Sequence, residues 1–341
     1  MKTYEKSYES FQIGEGILAK ITLTLCLLGS AFASKAGEVQ WSDLTKKRVL
    51  VVGDSITYGG QYVAYLEACL QLKFPEQKLE ILNLGLPSET VSGLSEEGHA
   101  GGNFPRPDLH ERLDRTLEKI NPEIVLACYG MNCGIYHPYR IDRFEAFKVG
   151  MRRLRDRVRA SGAEMIHLTP PVFDPLPIAK RTLPAGLKSY SGPYAGYDEV
   201  LNLYAAWLIA MRSEGWNVID IHGPMKAALL LRRQSDPSFH FAGDGVHMNA
   251  EAHWLTAQLI MRGLGAPNDL SAWSSAEAMV TTFFGEETEY VSLIKSKQRM
   301  LCDTWLTHIG HLRPGMAKGL TMEAAKMKSI EMDLQIESLL R

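Results

Sequence analysis

The apolar run Val-Leu-Val-Val at residues 49–52 stops at Gly53, and Asp54 and Ser55 follow it directly. A short run of β-branched and apolar residues that ends at a glycine is typical of a buried parallel strand followed by a sharp turn. Open α/β sheets bind their ligands at the carboxyl ends of such strands. We therefore expect an α/β fold that presents Ser55 at the reactive edge of its sheet.

Similar short apolar runs recur along the chain, and amphipathic stretches lie between them. This alternation predicts a parallel sheet with helices on both faces. The predicted strands are residues 48–53, 79–84, 124–129, 165–169 and 218–221, and the predicted helices are residues 62–73, 109–120, 144–160, 199–213 and 250–262. Beyond Pro267 the strand pattern stops, and mostly helical segments, interrupted by a turn at residues 305–315, continue to Arg341.

Ser55 is a candidate nucleophile. A serine hydroxyl is inert at pH 7 unless a base within hydrogen-bond reach accepts its proton. Asp244 and His247 are three residues apart late in the chain, so one turn can bring the carboxylate and the imidazole together. This segment therefore offers the remaining members of a Ser-His-Asp triad.

Three short motifs, taken in this order, resemble the SGNH hydrolases, the family of GDSL esterases and lipases. They are Gly-Asp-Ser at residues 53–55, Gly-Met-Asn at residues 130–132 and Asp-x-x-His at residues 244–247, and the first two follow predicted strands. The resemblance covers residues 48–262. It implies a three-layer, doubly wound sheet of five parallel strands in the flavodoxin-like order 2-1-3-4-5.

The resemblance also implies the residues of an ester-hydrolysing site. Ser55 corresponds to the nucleophile, His247 to its base and Asp244 to the acid that orients the imidazole. The oxyanion hole would include the backbone N–H of Ser55 and the side-chain amide of Asn132. Further support for the oxyanion or for the turns around it is expected from Asp54, Gly85 and Gly130.

One motif departs from the family pattern. Where the family has Asn-x-x-x-x-Gly-Asp-Thr, the chain has Asn83 to Thr90, with Ser88 at the position of the glycine. The family donor there is a backbone N–H, which serine also has, so Ser88 is expected to serve unless the position requires a positive φ, where serine is strained. Gly85 is the second candidate. Cys133 stands where many members carry an aspartate that is outside the triad.

Composition narrows the possible partners. The chain has 341 residues, enough for one α/β core and a sizeable appendage, and its formal net charge is −2. Without a basic run interleaved with aromatic residues, a nucleic-acid partner is not expected. The five cysteines include no Cys-x-x-Cys pair, and His308 and His311 have no cluster of acidic residues or cysteines nearby. We therefore expect neither a metal nor another cofactor.

The N-terminus carries a candidate export signal. An apolar segment at residues 21–33 follows Lys20 and ends in the small-x-small sequence Ala31-Phe32-Ala33. It has the length of a signal-peptide core and is shorter than the about 20 apolar residues that span a bilayer. We predict a signal peptide over residues 1–33, cleaved near Ala33, and a secreted or periplasmic protein without stable membrane insertion. An uncleaved N-terminal anchor is the alternative.

The predicted organisation is a signal peptide at 1–33, a hydrolase domain at 40–267 and a helical C-terminal extension at 268–341. Two loops rich in Gly or Pro, at residues 92–107 and 170–193, are expected to frame the pocket. Tyr129, Tyr136 and Tyr139, around the Gly-Met-Asn motif, are candidate platforms for a sugar ring.

Polar loops, rather than an amphipathic lid, favour an esterase that removes short acyl groups, above all acetyl, from a small molecule or a polysaccharide. One alternative is a lipase or lysophospholipase, which requires an exposed apolar patch beside Ser55. The other is a non-catalytic carbohydrate-binding protein on the same fold, but a binding module has no need of a nucleophile.

Overall fold

In the computed structural model, which describes residues 39–267, 275, 278 and 289–340, five parallel strands form one sheet. They are β1 Arg48–Gly53, β2 Glu80–Asn83, β3 Ile124–Cys128, β4 Glu164–Leu168 and β5 Asn217–Ile219. The spatial order is β2-β1-β3-β4-β5, which confirms the predicted doubly wound architecture. The predicted signal peptide at residues 1–33 lies outside the described residues.

The central strands are buried on both faces, which explains their uninterrupted apolar sequence. Every residue of β3 is buried, as is all of β1 after Arg48. Helices cover both faces of a parallel sheet, so neither face of a central strand needs polar side chains. The register of β1 against β3 brings Gly53 opposite Cys128, and the segments carrying Ser55 and Asn132 therefore leave the same edge side by side.

Seven α-helices are described between β1 and residue 267. They are α1 Ser55–Gly59, α2 Gln61–Lys73, α3 Leu109–Ile120, α4 Ile141–Ala160, α5 Tyr197–Ala210, α6 His222–Ser235 and α7 Ala250–Gly263. Helices α1 and α6 were not predicted. Helix α6 is the longer of the two. Its buried apolar positions include Met225 and Leu229, but the neighbouring Leu230 and Leu231 are exposed, and this blurs the helical period in the sequence.

Two further helices, α8 Glu289–Ile309 and α9 Met322–Leu339, form the described part of the C-terminal extension. Helix α8 lies along α2 and the edge strand β2, where Gln298 Nε2 donates to the carbonyl oxygen of Ile81 at 2.9 Å. Lys297 of α8 pairs with Glu67 of α2 at 2.5 Å and with Asp333 of α9 at 2.6 Å. The extension thus belongs to the same compact unit as the sheet.

The predicted turn at residues 305–315 begins later than expected. Helix α8 continues to Ile309, and the chain leaves it at Gly310, whose φ of 79° is in the left-handed region. Glycine adopts that conformation without strain, so it ends the helix. None of the helices in the described ranges combines the length and the apolar character needed to cross a bilayer.

Candidate active site

Ser55 is the first residue of α1, directly after β1. Asp54 caps this helix, because its Oδ1 accepts the backbone N–H of Ile56 at 2.9 Å. A side chain on Gly53 would lie 2.1 Å from Oγ1 of Thr57, so only glycine permits the tight turn. The N–H groups of the first helical turn have no partner within their own helix. The turn therefore offers both the hydroxyl and the N–H of Ser55 at the end of the strand.

The structure brings Ser55, His247 and Asp244 together. His247 Nε2 lies 2.8 Å from Ser55 Oγ, and His247 Nδ1 lies 2.6 Å from Asp244 Oδ2. The other carboxylate oxygen, Oδ1, accepts the backbone N–H groups of Val246 at 2.9 Å and of His247 at 2.7 Å. Partial burial acts to raise the pKa of Asp244, but these hydrogen bonds outweigh it and hold the pKa below its usual range. The carboxylate is therefore ionised at neutral pH.

The turn that carries Asp244 is stabilised by contacts with two other segments, the loop after β4 and helix α6. Gly245 has a φ of 81°, and its carbonyl oxygen accepts the backbone N–H of Asp174 at 2.9 Å. The carboxylate of Asp174, which is fully buried, pairs with Arg233 of α6 at 2.6 Å. The loop after β4 and the unpredicted helix α6 thus position the turn. Sequence reasoning did not identify Asp174 or Arg233.

Asn132 is fixed by two hydrogen bonds. Its Nδ2 lies 3.3 Å from the carbonyl oxygen of Glu89, and its Oδ1 accepts the hydroxyl of Tyr136 at 2.9 Å. A carbonyl oxygen only accepts, so the atom facing Glu89 must be the nitrogen. The second N–H of the same amide has no partner among the described residues and is available for a ligand. Tyr136, considered above as a sugar platform, thus orients the candidate oxyanion donor through its hydroxyl.

Ser88 and Gly85 are the two candidates for the remaining backbone N–H donor of the oxyanion hole, and the structure distinguishes between them. The N–H of Gly85 already donates to Asn83 Oδ1 at 2.9 Å, and a side chain at Gly85 would lie 2.1 Å from the backbone nitrogen of Tyr58. Gly85 therefore permits a close approach between two segments. Ser88 has a φ of 69°, the condition under which serine is strained, and its N–H has no partner among the described residues. Ser88 is the better candidate.

A buried charged pair secures the Ser88 segment. Arg112 of α3 binds both carboxylate oxygens of Glu89 at 2.7 Å, and its Nη2 also donates to the carbonyl oxygen of Leu84 at 2.8 Å. The hydroxyl of Tyr129 donates to Glu89 Oε2 at 2.6 Å, so Tyr129 is a buried polar anchor and not an exposed platform. The network joins the segment after β2 to α3 and β3.

Asp54 and Gly130 lie where the resemblance implies, in the turns of the site. Burial raises the pKa of the Asp54 carboxyl to about 6, although the N–H of Ile56 and the nearby His247 act in the opposite direction. Gly130 has a φ of 144°, and a side chain there would lie 2.7 Å from Pro170. Each of these residues supports its turn.

The two predicted loops both reach Tyr136. In the loop at residues 92–107, Arg106 pairs with Glu96 at 2.6 Å and holds its guanidinium 5.3 Å from the centre of the Tyr136 ring. In the loop at residues 170–193, the centre of the Phe173 ring lies 6.1 Å from that of Tyr136. Just after this loop, the backbone N–H of Tyr194 donates to the carbonyl oxygen of Tyr136 at 2.8 Å. Tyr139 is exposed. The segment that orients Asn132 is therefore enclosed by both loops.

The cysteines of the described ranges are all buried: Cys69, Cys128, Cys133 and Cys302. Cys133, the departure from the family pattern, accepts the backbone N–H of Val91 on its Sγ at 3.5 Å. Among the described residues, no group of three or more His, Cys, Asp or Glu side chains is placed to hold a metal ion.

The sheet is doubly wound, and a serine, a histidine and a carboxylate form successive hydrogen bonds at the carboxyl ends of its strands. This combination defines a hydrolase of the SGNH type. The chain belongs to the GDSL-like Lipase/Acylhydrolase family, whose sequence profile matches residues 51–255. The match includes Ser55 and His247 and ends before the C-terminal extension.

Two solved structures are similar to part of this chain. Axe2, an acetylxylan esterase from Geobacillus stearothermophilus, is 18% identical, with 65% of this chain and 95% of that chain covered and a TM-score of 0.47. BT4096, a gut microbial diltiazem-metabolizing enzyme, is 17% identical, with 64% of this chain covered and a TM-score of 0.48. The chain spans about half the length of BT4096, 47%. The curated proteins gave no match.

Proposed function

We propose that this hydrolase is a secreted serine esterase that removes short acyl groups, above all acetyl, from carbohydrate esters. One observation carries the proposal: the 2.8 Å contact between His247 Nε2 and Ser55 Oγ, backed by the 2.6 Å contact between His247 Nδ1 and Asp244. A base hydrogen-bonded to a serine and oriented by an acid is the arrangement that activates a hydroxyl for acyl transfer.

In the proposed reaction, His247 Nε2 accepts the proton of Ser55 as Oγ attacks the ester carbonyl carbon. The tetrahedral intermediate collapses when His247 gives that proton to the oxygen of the leaving alcohol, and an acyl-enzyme remains. Water then attacks the acyl carbon, again with His247 as the base. When this second intermediate collapses, His247 returns the proton to Ser55 Oγ and the carboxylic acid leaves. Asp244 keeps Nδ1 protonated and stabilises the imidazolium throughout.

The negative charge that develops on the carbonyl oxygen needs preorganised donors. We assign the backbone N–H groups of Ser55 and Ser88 and the free N–H of Asn132 to this role. Such donors are worth about 3 to 4 kcal/mol each in the transition state because they need not reorganise as charge develops. The orientation of the Asn132 amide supports the assignment.

The openness of the site supports a bulky alcohol and a small acyl group. The side chains of His247 and Asp244 are 53% and 48% exposed, so a polymer has access to the triad. In the loop at residues 92–107 no large apolar side chain is exposed, and in the loop at residues 170–193 only Leu176 and Leu187 are. A lipase needs a contiguous apolar surface beside its serine, and these two loops expose only two large apolar side chains.

Secretion is inferred from the apolar segment at residues 21–33 alone. It fits the proposed substrate, because acylated polysaccharides are met outside the cell membrane. The non-catalytic alternative leaves the alignment of His247 on Ser55 without a purpose. We therefore favour the enzyme over the binding module.

The test compares p-nitrophenyl esters of rising acyl length with acetylated oligosaccharides, using the wild type and Ser55→Ala. We expect acetyl to be preferred over octanoyl and acetylated oligosaccharides to be deacetylated. Activity that climbs with chain length would favour the lipase. A fluorophosphonate probe should label the wild type alone, and equal labelling of Ser55→Ala would remove the serine-hydrolase mechanism.

A further inference from the structure

A side-chain hydrogen bond joins the C-terminal extension to one peptide group of the candidate oxyanion hole. Arg313 lies in the turn between α8 and α9, and its Nε donates to the carbonyl oxygen of Pro87 at 2.9 Å. In a trans peptide the C=O of one residue and the N–H of the next belong to one plane and point in opposite directions. The described residues contain no cis peptide bond. The contact on Pro87 therefore fixes the direction of the Ser88 N–H.

This peptide needs external support. Ser88 has a φ of 69°, a conformation that costs a residue with a side chain of order 1 to 3 kcal/mol and persists where the surroundings impose it. Leu86, one residue before the peptide, is buried against Cys302 and Leu306 of α8, with Met316 also packed there. The extension thus holds the segment at two places, through Leu86 and through the Pro87 carbonyl.

Arg313 is itself held in place. Its Nη1 donates to the carbonyl oxygen of Pro314 at 2.9 Å and contacts Met316 Sδ at 3.2 Å, and its guanidinium lies 5.4 Å from the centre of the Phe104 ring. No carboxylate of the described ranges pairs with it, so its charge is not neutralised locally. A charge-assisted hydrogen bond on a carbonyl polarises its peptide and strengthens the N–H on the other side as a donor.

We propose that Arg313 is a positioning residue for the esterase: it aims the Ser88 N–H at the oxyanion and makes it a stronger donor. The proposal rests on the proposed function. It gives the C-terminal extension, which lies beyond the family match at residues 51–255, a part in catalysis. Arg313 does not touch the substrate and acts only through the Pro87–Ser88 peptide.

The first test compares Arg313→Ala and Arg313→Lys with a matched control, Arg115→Ala. Arg115 also joins the hydrolase domain to the extension through carbonyl oxygens, those of Ile309 at 3.2 Å and Gly310 at 3.1 Å, but it does not contact Pro87. For Arg313→Ala we expect kcat for an acetyl ester to fall about tenfold, less than the loss of a donor itself, with KM nearly unchanged. Arg313→Lys should recover part of the loss, and Arg115→Ala should leave kcat unchanged.

The second test observes the Ser88 N–H directly. In protein labelled with ¹⁵N-serine, the Ser88 amide resonance, assigned by its disappearance in Ser88→Gly, should move in Arg313→Ala and stay in place in Arg115→Ala. If the wild type is active and Arg313→Ala keeps both the kcat and the position of the Ser88 resonance, the inference is overturned. The proposed function then remains intact. Equal losses in Arg313→Ala and Arg115→Ala would also overturn it, since they would reflect docking of the extension. A wild type inactive on every ester would overturn the proposed function as well.

Discussion

Tyr136 donates its hydroxyl to Asn132 Oδ1 at 2.9 Å, and this contact decides which way the Asn132 amide faces. The two residues are four apart, and the chain between them passes through positive φ angles at Ile135 and Tyr136, 51° and 57°. Such backbone strain persists only where the surrounding structure imposes it, as it does here through both loops. The amide is thus oriented before any substrate binds.

Removing that hydroxyl should weaken catalysis without preventing binding. For Tyr136→Phe we expect kcat to fall about tenfold with little change in KM, since one oriented hydrogen bond is lost. Asn132→Ala, which removes the donor itself, should reduce kcat by about 10²- to 10³-fold. Tyr139→Phe, at an exposed tyrosine, is the control. A rise in KM alone for Tyr136→Phe would show that the ring binds substrate instead.

The triad residues should differ in the size of their effects. His247→Ala should reduce kcat by about 10⁶-fold and Asp244→Ala by about 10⁴-fold, because an orienting acid is partly dispensable. Steady-state kinetics on an acetyl ester, with circular dichroism to verify folding, would measure both. Wild-type activity in Asp244→Ala would mean that another acid orients His247.

Ser88→Gly should keep activity within a few-fold, because glycine preserves the N–H and adopts a φ of 69° without strain. Its free energy of unfolding should not fall, since the relief of strain offsets the greater backbone freedom of the unfolded chain. Ser88→Ala keeps the strain and removes only the hydroxyl, and it should also remain active. A collapse of kcat in both variants would show that the hydroxyl takes part in the reaction.

Breaking the Glu89–Arg112 pair should cost about 3 to 5 kcal/mol of unfolding free energy, because a buried charge would be left without its partner. Glu89→Gln and Arg112→Met each remove one charge, and both side chains are fully buried in the wild type. Urea denaturation would measure the loss. The double variant should be more stable than the sum of the two losses predicts, and strict additivity would contradict a direct coupling.

Acid should destabilise the fold through buried histidines. Burial lowers the pKa of His167 to about 3, and neither ring nitrogen has a hydrogen-bond partner among the described residues. In the unfolded chain the pKa is about 6.5, so the unfolded state binds more protons between these values and stability falls as the pH drops through them. His167→Phe, which can retain the stacking on Trp216, should make the unfolding free energy less sensitive to pH between 6.5 and 4.

The replacement of His167 should not abolish the acid sensitivity, because burial also lowers the pKa of His253 to about 3. Denaturation curves at pH 7, 5.5 and 4 would decide the matter. A wild type equally stable at all three values would contradict the assignment.

The pattern of the sequence was sufficient for the strands and for most helices of the sheet domain. Strand β1 and helix α3 have the predicted bounds. A buried parallel strand and an amphipathic helix can be recognised from the pattern of apolar residues within one short segment. The order of the strands was predicted from the resemblance of the motifs, since periodicity does not say which strands are neighbours. The same resemblance predicted which residues form the site. Helix α6 was missed because exposed leucines blur its period.

Contacts between distant parts of the chain were decided only by the tertiary structure. Sequence motifs brought Ser55, Asp244 and His247 to one site, but the choice of Ser88 over Gly85 required the backbone angle and the hydrogen bond that occupies the Gly85 N–H. Arg313 and Pro87 are 226 positions apart in sequence, and no local pattern relates them. Local sequence sets conformations through nearest neighbours, whereas a pair like this depends on how the extension packs against the sheet as a whole.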